Sequence, residues 1–104
     1  MANQFGEKIK QLRKANRLLQ RPVAVQMEID IPMLSKIERG ERNAKREQVT
    51  LLSKIFNVPE NDLLSLWLAD KVYDVVKGED MALKALSATE EKLKINPKRK
   101  KPKK

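Results

Sequence analysis

The chain contains no cysteine and no histidine. Without thiols there is no disulfide framework. Without thiol or imidazole, the usual zinc sites and nucleophilic dyads lack their ligands and bases. Chemistry would fall to Ser, Thr, Lys, Tyr and carboxylates, and the carboxylates are scattered over helix faces and helix starts. The reading is therefore not an enzyme, with no cofactor and no metal. Aromatic residues make up 4% of the chain, and its 3 glycines fit no nucleotide-binding spacing. Apolar runs fall well short of the ~18 residues that cross a bilayer. The first eight residues, Met1 to Lys8, lack the charged-then-apolar order of a secretory signal. These absences predict a soluble, cytoplasmic protein with no membrane partner.

Positive charge is what the chain has in excess. Its 104 residues, about one domain's worth, carry 23 Lys+Arg against 14 Asp+Glu, a net charge of +9. Such a surplus asks for a polyanionic partner, typically nucleic acid. Its placement is uneven. Lys98, Arg99, Lys100, Lys101, Lys103 and Lys104 carry six of the nine net charges, among Pro97 and Pro102 and without apolar residues. Residues 96–104 thus read as a disordered basic tail, unable to offset their ordering entropy by burial. The rest is only mildly basic, so a binding surface there must come from local clustering.

Apolar residues recur at three and four, the helical period, and β-branched residues do not alternate with polar ones, which predicts an all-α fold. A first helix runs from about Phe5 to Asn16 with Phe5, Ile9 and Leu12 inward. Arg17 to Gln20 link it to a second that starts near Pro22 and carries Val23, Ala24 and Met27. Glu28-Ile29-Asp30 interrupts the pattern, and Pro32 restarts it. Met33 to Arg39 is a short helix stopped by Gly40, with Leu34 and Ile37 inward and Ser35, Lys36 and Arg39 outward. After a polar loop, Glu41 to Lys45, a fourth helix spans about Arg46 to Phe56. Pro59-Glu60-Asn61-Asp62 opens a fifth that ends at Gly78, and Asp80 can cap a sixth from Met81 to about Lys94. The span Gln20 to Gly40 has the layout of a helix-turn-helix, with Ala24 allowing a close crossing and Val23, Met27, Ile29, Leu34 and Ile37 completing the apolar knot. The same pattern also fits a plain bundle hairpin with a solvated face.

Leu34-Ser35-Lys36-Ile37-Glu38-Arg39-Gly40-Glu41-Arg42 closely resembles the end of the recognition helix in the lambda-repressor-like (Cro/cI, XRE) DNA-binding family. The opening Phe5-Gly6-Glu7-Lys8-Ile9-Lys10-Gln11-Leu12-Arg13, then Gln20, Ala24 and Leu51 to Val58, fit the same order, so the resemblance covers about Gln4 to Leu68. It implies a five-helix bundle over residues 4–68, followed by a helical extension, 69–95, and the basic tail, 96–104. It also implies a transcriptional regulator, a repressor by preference, that binds an inverted-repeat operator on double-stranded DNA as a homodimer, with a recognition helix at about 31–39 in the major groove. Ile31, Pro32, Ser35 and Lys36 would face base edges. Gln20, Arg39, Arg42, Asn43, Lys45 and Arg46 would hold the backbone, and Arg13 with Glu38 would form a structural ion pair. The chemistry agrees: Lys36 can donate to guanine, Ser35 can pair with several bases and Ile31 can pack on a thymine methyl, while cations on a loop give affinity and register.

Three departures stand out. Leu19 occupies the place of the usual Ser or Thr cap. Glu28 stands where the turn often has Gly, which predicts a tighter or altered turn. Pro32 disfavours a helical Ile31, which predicts a recognition helix that starts one residue late. On the fifth helix, Leu64, Leu68, Val72 and Val75 make one apolar row and Leu66, Ala69, Tyr73 and Val76 a second. The sixth helix could cover the second row, or a partner subunit could. The dimer reading places Leu66, Trp67, Tyr73 and Val76 at the interface, and Trp67 as a core residue is the alternative. No small-molecule effector domain is evident. The competing functional readings are a protein-interaction or coactivator module on the same scaffold, and the antitoxin of a toxin–antitoxin pair.

Overall fold

The computed structural model describes residues 3–96, and these form six helices and no strand. The helices are α1 (Gln4–Ala15), α2 (Gln20–Met27), α3 (Ile31–Arg39), α4 (Arg46–Phe56), α5 (Glu60–Val76) and α6 (Ala82–Ile95). The chain divides between Val72 and Tyr73 into two compact units. The expected tail lies, apart from Asn96, outside the described residues.

The first unit has one core, built from Phe5, Ile9, Val23, Ala24, Met27, Leu34, Ile37, Ala44, Val49, Leu52, Phe56 and Leu63. Full burial of each larger aliphatic side chain is worth about 1.5–3 kcal/mol. Two close approaches fix how α1 sits. A Cβ on Gly6 would lie 2.6 Å from the carbonyl oxygens of both Ile37 and Glu38, so only glycine lets α1 meet the end of α3 at this distance. The amino end of α1 is capped twice. Asn3 Oδ1 accepts from the Gly6 amide at 2.8 Å. The buried Asp70 carboxylate, reaching across from α5, accepts from the Gln4 and Phe5 amides at 3.0 and 2.8 Å. A carboxylate there also suits the helix dipole.

Several boundaries differ from the sequence expectation. α2 starts at Gln20, which makes Pro22 its third residue, a position whose N–H would have no intrahelical partner. α3 starts at Ile31 despite Pro32. The Asp30 carboxylate accepts from the Met33 amide at 2.8 Å, and the proline sits in the first turn, where it needs no donor, so the cap outweighs the pre-proline bias. The turn between them is not tightened by Glu28. Its residue adopts the left-handed conformation, φ 59°, that glycine would supply, and the Glu28 and Ile29 amides close on Val25 and Ala24. On α5 the docking face is Leu63 and Asp70 with the partly buried Leu64, Leu66 and Trp67, so each expected row contributes one residue and neither is the face; Leu68 and Val72 are exposed.

In the second unit, Gly78 takes a left-handed φ of 82°. α6 begins at Ala82 with Met81 in the cap position and no side-chain cap, so Asp80 does not serve as expected. None of the residues of α6 is buried.

Candidate nucleic-acid interface

The inner side of α3 is fixed from below. Leu34 and Ile37 are wholly buried, and Glu38 beside them is 3% exposed. A carboxylate at that depth needs a partner, and Arg13 of α1 supplies one in a fork. Its Nε donates to Glu38 Oε2 at 2.7 Å and its Nη2 to Oε1 at 3.0 Å. Arg13 Nη1 donates in addition to the Leu18 carbonyl at 2.9 Å, and Gln20 Nε2 donates to Glu38 Oε1 at 3.2 Å. One arginine thus ties α1, the α1–α2 link and α3 together. Glu38 acts as an orienting group held in a salt bridge, with no free oxygen pointing at solvent chemistry.

The opposite side of α3 is open. Pro32, Lys36 and Arg39 are exposed and Ser35 is half-buried, and their spacing of three, one and three puts them on a single face. Two of the four are already engaged with each other. Arg39 Nη1 donates to Ser35 Oγ at 2.6 Å, while its Nε and Nη2 donate to the two oxygens of Glu41 at 2.8 and 3.1 Å. The hydrogen bond from Arg39 holds the Glu41 carboxyl below its ordinary range, with the charges of Arg39 and Lys36 adding to it. The same bond raises the Arg39 guanidinium. Ile31 is half-buried against the core, which leaves part of its side chain for contact.

Beside this face run Arg42, Asn43, Lys45 and Arg46, all exposed. The loop that carries them is pinned by buried Ala44, whose carbonyl accepts from Trp67 Nε1 at 2.8 Å. Gln48 Oε1 accepts from the Lys45 amide at 2.8 Å and closes the start of α4. A lysine ammonium has no lone pair to return that bond, so this is half of a capping box. At the other edge, α2 opens at Leu19 without a side-chain cap.

A helix-turn-helix family model matches residues 9–63, more than half of the chain. The chain belongs to the lambda-repressor-like helix-turn-helix family. It is also similar to the restriction-modification controller protein C.AhdI of Aeromonas hydrophila, at 27% identity and a TM-score of 0.53, over 57% of this chain and 89% of that one. No curated protein gives a significant match. Family membership makes this helix-turn-helix protein a DNA-binding transcription regulator, and no described helix is long and apolar enough to cross a membrane.

Within that family frame, the structure gathers Pro32, Ser35, Lys36 and Arg39 on one open face, with Arg42 to Arg46 beside it. It gives Gln20 a partner in Glu38. Of the residues expected to mediate self-association, Leu66 and Trp67 pack partly on their own core, which docks α5; Tyr73 is 61% exposed. Sequence reasoning missed Asp70, Gly6 and Lys71. Lys71 Nζ lies 4.5 Å from the Trp67 ring centroid, and the Arg46 guanidinium lies 5.8 Å from it. The i, i+4 spacing of Trp67 and Lys71 on one helix was the available signal.

Proposed function

We propose that the protein represses transcription by binding an inverted-repeat operator as a homodimer, one recognition helix per half-site in the major groove. The observation that carries this is the two-sided character of α3. Its inner side is locked by Leu34, Ile37 and the Arg13–Glu38 fork, while its outer side, free of covering residues of its own unit, runs into a cationic loop. Ser35 and Lys36 read base edges, joined by Ile31 and Pro32 at the start of the helix. Arg42, Asn43, Lys45 and Arg46, with Arg39 and Gln20 at the margins, hold phosphates and set register. The pairing surface of the dimer lies at Tyr73 and Val76 of α5, since Leu66 and Trp67 pack on their own core, and a palindromic site requires that two-fold relation. The basic residues 98–104 add non-specific, salt-sensitive attraction.

Selection of bound duplexes from a random pool at moderate salt tests the reading. The expected product is an inverted repeat with fixed half-site spacing. Ser35→Ala and Lys36→Ala then relax preference at particular bases by about 1–3 kcal/mol. A pool that stays random, or variants that weaken all sites equally, would refute base reading by this face.

A further inference from the structure

Trp67, the single tryptophan of the chain, sits where α5 meets the α3–α4 loop. Its indole N–H is used on the Ala44 carbonyl, which fixes the plane of the ring. Two cations share that ring, Lys71 from α5 and Arg46 from the first turn of α4, both inside the roughly 6 Å over which a ring attracts a cation. Among the described residues neither cation has a carboxylate in salt-bridge contact. Asp70, next to Lys71 on α5, is engaged with the α1 amides. Like charges gathered on one ring repel, and the amino end of α4 adds its own positive field at Arg46. An arrangement of this kind is relieved by an anion.

We propose that Lys71 is a further contact to the phosphodiester backbone of duplex DNA, and that Trp67 is a positioning residue holding Lys71 and Arg46 toward successive stretches of it. The inference rests on the operator-binding reading above and extends the backbone-contacting edge from the loop onto α5. It adds affinity and register and leaves base choice untouched, because contacts to phosphate carry no sequence information.

The test uses the full chain and a fixed duplex, with binding followed against salt and by the emission of Trp67. The wild type is expected to change emission on adding duplex. Lys71→Gln is expected to lower the slope of log K against log salt by about 0.9, the contribution of one neutralised phosphate, with the order of preference among duplexes unchanged. Trp67→Phe keeps a ring face and is expected to keep most of the slope. Trp67→Leu loses the ring and, where it folds, is expected to shed part of it; Lys71 is exposed, so Lys71→Gln folds and reads the contact by itself. A wild type with no salt-dependent duplex binding would overturn the operator reading itself. A wild type that binds while Lys71→Gln retains the full slope would overturn only the role of Lys71. An emission change produced by an acidic peptide and not by duplex would assign the pair to a protein partner, which also overturns it.

Discussion

Replacing Glu38 by alanine should be the most damaging single polar change in the first unit. The substitution removes both acceptors of the Arg13 fork and the acceptor of Gln20 Nε2. Arg13, whose side chain is 10% exposed, keeps one bond, to the Leu18 carbonyl. Breaking a buried pair from one side costs about 3–5 kcal/mol, because the surviving charge is stranded. Arg13 touches solvent at its edge, which places the expected loss near the lower end, about 3 kcal/mol. That is a large share of the roughly 5–15 kcal/mol that holds a domain together. Arg13→Met should cost a similar amount, since it leaves Glu38 with Gln20 alone. Glu38→Leu serves as the acidic-side single of a cycle with Arg13→Met. The double variant Arg13→Met/Glu38→Leu strands no charge and frees only Gln20 Nε2 and the Leu18 carbonyl. It should fall within about 2 kcal/mol of the wild type, a coupling of several kcal/mol between the two sites. Urea unfolding followed by circular dichroism measures all four corners of the cycle, with equal m values as the check that the reference states match. A Glu38→Ala loss below about 1 kcal/mol, or a double variant that costs the sum of the singles, would refute the argument that the fork is an interdependent buried unit.

The left-handed turn at Glu28 should accept glycine with a gain: relief of about 1–2 kcal/mol of backbone strain, less about 0.4–1 kcal/mol of added unfolded-state entropy, leaves Glu28→Gly more stable by about 1 kcal/mol, and an unchanged or lower Tm would count against it. Asp70→Ala should destabilise by about 2 kcal/mol, since two α1 amides lose a charged acceptor, and Asp70→Asn should recover part of this in the same unfolding assay. The exposed Arg39–Glu41 pair has a defined pH sign. Because the folded Glu41 carboxyl is held low by Arg39, its stabilisation is present above the ordinary glutamate range of about 4.3 and is lost as pH falls through the lower folded value. The Tm difference between wild type and Glu41→Gln should therefore shrink between about pH 6 and about pH 3, and a difference that widens there would reverse the assignment.

What could be read from the sequence followed periodicity and punctuation. Ile9, Val23, Ala24, Leu34, Ile37, Val49, Leu52 and Phe56 fall on one helical face each, and all are buried. Gly40 stops α3 as a left-handed residue should, at φ 77°. What was not legible depends on contacts between distant segments. Asp70 looks like a solvated acid in a helix until the first amides of α1 are found on its carboxylate, 65 residues away in sequence at Phe5. Gly6 looks incidental until the carbonyls of Ile37 and Glu38 appear at its Cα. The α5 rows misled because Leu63 and Trp67 dock through the side that carries Asp70, and a row containing a carboxylate does not score as apolar. At the start of α3 two local rules conflict, the family-implied bound at 31 and the pre-proline bias at Ile31-Pro32, and the Asp30 cap, a contact the pattern does not weigh, decides for Ile31.

The hydrogen bonds of the open α3 face bear on how sequence could be read there. An arginine has five N–H groups, and Arg39 commits three of its donor directions to Glu41 and Ser35. Paired to guanine through two donors, Arg39 would have to release Glu41, leaving a carboxylate beside the phosphates at the groove wall. Kept as it is, Arg39 acts as a brace that fixes Ser35 Oγ as an acceptor and leaves that hydroxyl a proton to donate. Lys36 is exposed and among the described residues has no salt bridge or side-chain hydrogen bond, so it is the donor on this face that needs no rearrangement. A lysine reads as a point charge with rotatable donors, which favours guanine without the geometric rigour of a fork. Strict discrimination from one flexible donor and one braced hydroxyl is physically thin. Under the proposed operator reading, the remainder comes from how readily the intervening duplex deforms to bring both half-sites and the flanking cations into register. Base pairs that no side chain touches should therefore matter in the selected sites, and their influence should survive Lys36→Ala.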